Sequence, residues 1–189
     1  EMTEVGLKEV DNPSRIFLAE RSAGVTGSAV VVTMEGTRPL LVEIQALVAP
    51  THASFPRRVV TGADLNRVAI LLAVLEKRVG MPLSTCDVFV NVAGGVRITE
   101  PAADLGIVAA VASSLRNAPL DPRMVCFGEV GLTGEIRAVR HAAQRLHEAR
   151  QLGFARCILP ETNEGRPREA EIEAIGLRTV DAMMHVLFP

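Results

Sequence analysis

The run from Ala102 to Leu115, Ala-Ala-Asp-Leu-Gly-Ile-Val-Ala-Ala-Val-Ala-Ser-Ser-Leu, is the strongest constraint on what this chain can fold into. It has the composition of a helix but no polar face, since apolar residues fall on nearly every side. A helix that is apolar all round is buried all round. The run therefore predicts a central helix with other elements packed about it. With 189 residues, 48% of them hydrophobic, the chain can supply those elements and bury the core of one substantial domain.

The surrounding residues read as alternating strands and helices. Residues 29–34 and 40–48, joined through Glu35-Gly36-Thr37-Arg38-Pro39, predict a β-hairpin. Residues 50–58 read as an irregular loop leading to a short strand, Arg58-Val59-Val60. Thr61-Gly62-Ala63-Asp64 matches a capping box ahead of a long helix that carries Leu65, Val68, Ile70, Leu71, Leu72, Val74 and Leu75 and stops at Gly80 and Pro82. Residues 87–93 predict a strand ending in Gly94-Gly95, and residues 124–127 another, followed by a glycine-punctuated stretch to Ile136. A further helix spans about 140–152, with Ala142, Leu146, Ala149 and Leu152 as its apolar stripe, Arg140, Arg145 and Arg150 off it, and Gly153 as its stop. Arg156 to Pro160 and Arg178-Thr179-Val180 read as strands, and Asp181 as the cap of a closing helix through Leu187. The expectation is a mixed α/β domain over residues 23–189, a mixed sheet with packed helices. Residues 1–22, with the helix-start signal Asn12-Pro13-Ser14, read as a connector.

Charge narrows the chemistry. The formal charge is −2, yet the basic residues are eighteen arginines and only two lysines, Lys8 and Lys77. Arginine does not deprotonate in proteins, so lysine chemistry is confined to two positions. Cys86, Cys126 and Cys157 sit in apolar strand-like contexts and read as buried free thiols. His52, His141, His147 and His185 are scattered, and the six-residue spacing of His141 and His147 puts them on different helix faces, against a shared metal site. The chain contains no G-x-x-x-x-G-K-[ST], no H-E-x-x-H and no G-x-S-x-G. Gly128, Gly131 and Gly134 read as tight backbone turns. No apolar run reaches about 18 residues and the start Glu1-Met2-Thr3-Glu4 is not a signal peptide, so a cytoplasmic protein is expected. With no Trp or Tyr, nucleic-acid contacts would run from arginine to phosphate, and Arg57, Arg58, Arg67, Lys77, Arg78 and Arg97 are the candidates.

The order of these elements, together with residues 87–95, Thr99-Glu100-Pro101-Ala102-Ala103-Asp104-Leu105, residues 127–136, Pro56-Arg57-Arg58 and Asn66-Arg67, resembles the Lon-protease-like domain of the bacterial RadA (Sms) family. The resemblance covers about residues 24–189 and implies a ribosomal protein S5 domain 2-like fold. It also implies that residues 1–22 are the tail of an upstream RecA-like ATPase core. In proteolytic Lon a serine follows the proline of the turn opening the central helix, and a lysine lies near the start of a later helix. Here those positions match Ala102 and Ala143. A serine-lysine dyad needs both a hydroxyl and a neutral amine, so the resemblance implies a domain without peptidase activity. Ser113 and Ser114 read as ordinary helix-end residues. The resemblance further implies a homohexameric ring, single-stranded or branched DNA and a RecA-type recombinase as partners, and no membrane. It implies no cofactor in this segment, with ATP, Mg and Zn belonging upstream.

Overall fold

The computed structural model describes residues 2–3, 6–7, 12–22, 24–163 and 172–189. A short antiparallel pair, β1 (Met2–Thr3) and β2 (Gly6–Leu7), precedes helix α1 (Pro13–Leu18). Asn12 caps α1 by accepting the Ser14 N–H, and Pro13 occupies the first turn, where its missing N–H costs nothing. Although this segment reads as a connector, α1 packs on the sheet: the buried Ser14 hydroxyl accepts the Leu41 N–H at 3.0 Å.

The expected hairpin is present and longer than its sequence signal, as β3 (Ser28–Glu35) and β4 (Arg38–Pro50). Strands β5 (Arg58–Thr61), β6 (Cys86–Val92), β7 (Met124–Cys126), β10 (Arg156–Pro160) and β11 (Glu173–Leu177) complete a seven-stranded sheet of order β11-β10-β7-β3-β4-β6-β5. The pairs of β3 with β4 and of β4 with β6 are antiparallel and the others are parallel. A separate hairpin, β8 (Glu129–Val130) with β9 (Ile136–Arg137), holds the glycine-punctuated stretch. The expected strand at 178–180 lies instead at β11. Thr179 caps helix α5 (Val180–Leu187) by accepting the Ala182 N–H, so Asp181 sits within the first turn and not at the cap.

Helix α2 (Leu65–Val74) is likewise capped by Asp64 itself, which accepts the Arg67 N–H, while Thr61 belongs to β5. Its end widens into a π-type turn over Leu75–Val79 before Gly80, whose φ of 77° closes it. Pairing parity divides the core in two. Ala29, Val31, Val42 and Ile44 face α2, α3 (Asp104–Arg116) and α5, whereas Val30, Val32, Leu41 and Phe127 face α4 (Ala142–Gln151). As its composition demands, α3 is buried from Asp104 to Ser113 without a solvent face. Its two serines are structural: Ser113 accepts the Gly27 N–H and Ser114 the Val48 N–H, each at 2.9 Å. The three thiols are buried, and Cys126 and Cys157 lie on opposite sides of the sheet. Burial pushes the Cys126 thiol up to about 12, which leaves it protonated and inert.

The tightest seam is between α3 and β3. A Cβ on Gly106 would lie 1.9 Å from Val31 Cγ1, so the helix and the strand approach only because that Cβ is missing. Gly106→Ala is expected to destabilise by about 1–3 kcal/mol through overpacking, measured as a lowered denaturation midpoint at unchanged m-value.

Candidate functional site

Residues 93–104 connect β6 to α3 and form the turn that the sequence singles out. Gly94 adopts φ 76°, and a Cβ there would lie 2.7 Å from the Phe17 ring, so α1 docks directly on the turn. A single 3-10 turn, Pro101–Ala103, then leads into α3. Ala102 is buried, and its carbonyl accepts the Gly128 N–H at 2.8 Å while Gly128 returns its carbonyl to the Leu105 N–H. The turn is thus stitched to the strand that follows β7.

Two ion pairs flank Ala102. On one side the buried Arg145 donates Nη1 and Nη2 to the two Glu100 oxygens at 2.8 and 2.7 Å, Nη1 also to the Val32 carbonyl, and Nε to the Arg140 carbonyl. Its guanidinium carbon lies 5.6 Å from the Phe127 ring centroid. Burial alone would raise the Glu100 carboxyl, but hydrogen bonds and charge from Arg145, with further bonds from Thr33 and the Met34 N–H, pull it below the usual range. On the other side Arg67 makes a two-pronged contact to the buried Asp104 and donates to the Val130 carbonyl, while Asp104 accepts the Val130 N–H at 2.9 Å. Burial raises the Asp104 carboxyl by more than these partners lower it.

Arg145 corrects the sequence reading, which places it off the apolar stripe of α4. It stands three residues after Ala142 and one before Leu146, an i, i+3, i+4 spacing that puts it on the buried face. The missing signal is its partner: Glu100 is 45 residues away in sequence. Ala143, the position matched to the absent lysine, is exposed on the outer side of α4. A cleft of about 490 Å³ remains over Ala102, lined by Glu100, Pro101, Glu129, Arg140, Arg145 and His141 among others. His141 adopts φ 63° at the start of α4. Lys77 is exposed in the π-type turn and Lys8 lies outside the described residues. Among the described residues no group of three or more His, Cys, Asp or Glu side chains could hold a metal ion, and no helix is long and apolar enough to cross a membrane.

The arginine candidates separate into committed and available groups. Arg67 is committed to Asp104, and Arg58 to the carbonyls of Leu83, Cys86 and Arg57. Arg57 pairs with Asp87 at 2.8 Å, yet its side chain stays 72% exposed. Its N–H and its guanidinium hold the Asp87 carboxyl below the usual range. Arg97, Lys77 and Arg78 are exposed, with no ion pair among the described residues.

The family model described as subunit ChlI of Mg-chelatase matches residues 60–163, more than half of the chain and a span that contains both ion pairs. The chain belongs to that family. It is also 56% identical over 187 residues to the DNA repair protein RadA of Halalkalibacterium halodurans, covering 98% of this chain and 41% of that protein. It is 55% identical over 181 residues to the DNA repair protein RadA of Bacillus subtilis, covering 95% and 40%, and 49% identical over 187 residues to that of Pseudomonas aeruginosa, covering 99% and 41%. The resemblance to bacterial RadA is borne out over nearly the whole chain, which spans about two fifths of the length of these relatives.

Breaking the Glu100–Arg145 pair tests its weight. Arg145→Met is expected to cost about 3 kcal/mol, the low end for an uncompensated buried charge because Glu100 is 24% exposed. Because the Glu100 carboxyl is depressed in the folded state, its contribution is present above the unfolded value of about 4.3 and is lost as pH falls through the lower folded value. The difference in Tm between the parent and Glu100→Gln should therefore shrink as pH drops below about 4. A difference that stays constant with pH would show that the carboxylate contributes nothing through its charge.

Proposed function

We propose that this chain is a catalytically silent Lon-like domain that serves as scaffold and DNA-contact element of a DNA repair ATPase ring. The observation that carries the proposal is the division of its cations around an emptied catalytic turn. The position matched to the nucleophile is a buried alanine, the nearest buried cation is an arginine with Nε and both Nη groups engaged, and of the exposed candidate cations Arg97 lies in the same turn while Arg57, Lys77 and Arg78 lie outside it. The similarity of nearly all of this chain to about two fifths of proteins named DNA repair protein RadA supports DNA as the polyanion. The ring, an upstream ATPase with ATP, Mg and Zn, and a RecA-type recombinase as partner belong to this proposal as parts of the longer protein.

Two measurements test it. Each phosphate contact adds about 0.9 to the slope of log affinity against log salt on duplex DNA. Arg57→Ala with Arg97→Ala should lower that slope by nearly twice this amount, and an unchanged slope would remove these arginines from the interface. For the silent turn, Ala102→Ser is expected to leave an unfolded protein substrate uncut, because among the described residues no lysine amine lines the cleft over that position. Cleavage by this variant, detected by gel electrophoresis, would refute the loss of the base.

A further inference from the structure

Strand β3 pairs with β4 along its whole length, but on its other edge β7 reaches only Val30 and Val31. Beyond Cys126 the chain turns toward α3, where the Gly128 N–H bonds the Ala102 carbonyl, and the rest of that edge is left without a strand among the described residues. The groups left over can be named. The Leu41 N–H goes to Ser14, so Val32 and Leu41 form a non-hydrogen-bonded pair, and Val32 and Met34 turn their backbone groups to the β7 side. There Arg145 Nη1 donates to the Val32 carbonyl, and Glu100 Oε1 accepts the Met34 N–H at 2.6 Å. A single residue of a parallel strand, set opposite Thr33, would make the same two bonds, its N–H to Val32 and its carbonyl from Met34. The ion pair thus stands where a further strand would lie. Above it is the cleft of about 490 Å³, whose far wall at residues 138–140 is fixed by Asn163, bonded to both backbone groups of Val139.

We infer that the Glu100–Arg145 pair is a lock on a strand-addition edge, keeping the cleft over Ala102 closed to an extended polypeptide that would otherwise pair with Val32 and Met34. The inference rests on the silent reading above and extends it, from loss of cleavage to loss of docking. Stability alone does not account for the pair. A buried ion pair adds little over apolar residues of like size, and such residues would pack the turn equally well. They would leave Val32 and Met34 bare, however, and a bare edge is a template for another chain. The cleft walls suit a strand of mixed sequence: Met34, Pro101 and Val139 offer apolar contact, while Glu129 and Arg140 offer one charge of each sign.

The test is binding of a fluorescent peptide of about 10 residues, alternating Val and Thr with a Lys at each end, read by anisotropy. Glu100→Leu combined with Arg145→Met strands no charge, so the fold is kept, and it should bind the peptide about 10-fold more tightly than the parent. In that variant the Met34 amide should exchange its hydrogen about 10-fold faster than in the parent and be protected again when the peptide is added. Glu100→Ala alone, at a position 24% exposed, frees Met34 and should show part of the gain. The control is Arg67→Met with Asp104→Leu, which removes the other ion pair without touching β3 and should bind as the parent does. No gain in the first two variants overturns the lock. So does an equal gain in the control, or a gain that leaves Met34 unprotected, because the peptide then lies elsewhere. Ala102 stays in place throughout, so absent binding leaves the silent reading standing, whereas a cut peptide has docked and would uphold the lock while refuting that reading.

Discussion

Everything around the functional turn depends on the burial of α3. Because this helix has no solvent face, it must be clasped on all sides, and the groups at its N-terminus cannot be left to water. The backbone there carries donors that no side chain caps: the Ala103 N–H goes to the Glu100 carbonyl and the Leu105 N–H to the Gly128 carbonyl, and around them stand Asp104 at the first α-helical position, held by Arg67, and Glu100 just ahead of the 3-10 turn, held by Arg145. Both arginines arrive from other helices, α2 and α4, so the two ion pairs tie those helices to the head of α3. Each also reaches a backbone carbonyl, Val130 for Arg67 and Val32 for Arg145. The head of α3 is thereby fixed to β3 and to the β8–β9 hairpin.

On the proposed reading, that arrangement accounts for how a turn shaped for peptide chemistry persists without it. Buried ion pairs add little net stability against apolar replacements, but removing one partner strands a charge and costs several kcal/mol. Once four charged groups hold the turn, its geometry is maintained by reciprocal dependence and needs no catalytic contribution from Ala102. Arg145 also fills the space beside the turn with a cation that does not deprotonate. On the proposed reading, a hydroxyl introduced at position 102 would have an arginine beside the turn and not a base.

The legible part of the fold was what depends on local pattern. The β-type runs of β3 and β4, the all-apolar run of α3 and the glycine that ends α2 all report themselves within a few residues. The Thr179 and Asp64 caps were misplaced by two and three positions, because Ser, Thr, Asp and Asn neighbours compete for the same role and only backbone geometry decides between them. Arg145 was misassigned for a different reason. Charge suggested solvent, and the partner that permits its burial is remote in sequence. The division of the arginines into committed and available was illegible for the same reason, since Asp104 and Asp87 lie 37 and 30 residues from the arginines they hold. The open sheet face around Leu47, Phe89 and Val59, in register across β4, β6 and β5, was missed because Leu47 and Val59, read as strand residues, carry no mark of which sheet face lacks a helix.

The open face follows from a mismatch in strand length. Strand β4 has thirteen residues and β3 only eight, so the pairing of β3 ends at Gln45 and the last part of β4 continues with β6 alone. Helices α1 and α4 pack where β3 supports the sheet, and beyond its end they have no floor to cover. One face of the overhang still builds the core through Ala46, Val48, Val88 and Val90, which is why these strands stay ordered without a helix on the other side. The same backbone that closes the core therefore holds Leu47, Phe89 and Val59 in fixed register toward solvent. A second mismatch, β7 with three residues against the eight of β3, leaves an edge instead of a face, and the backbone groups of a buried edge must be paired. That is why the first mismatch is left open and the second is closed by Glu100 and Arg145.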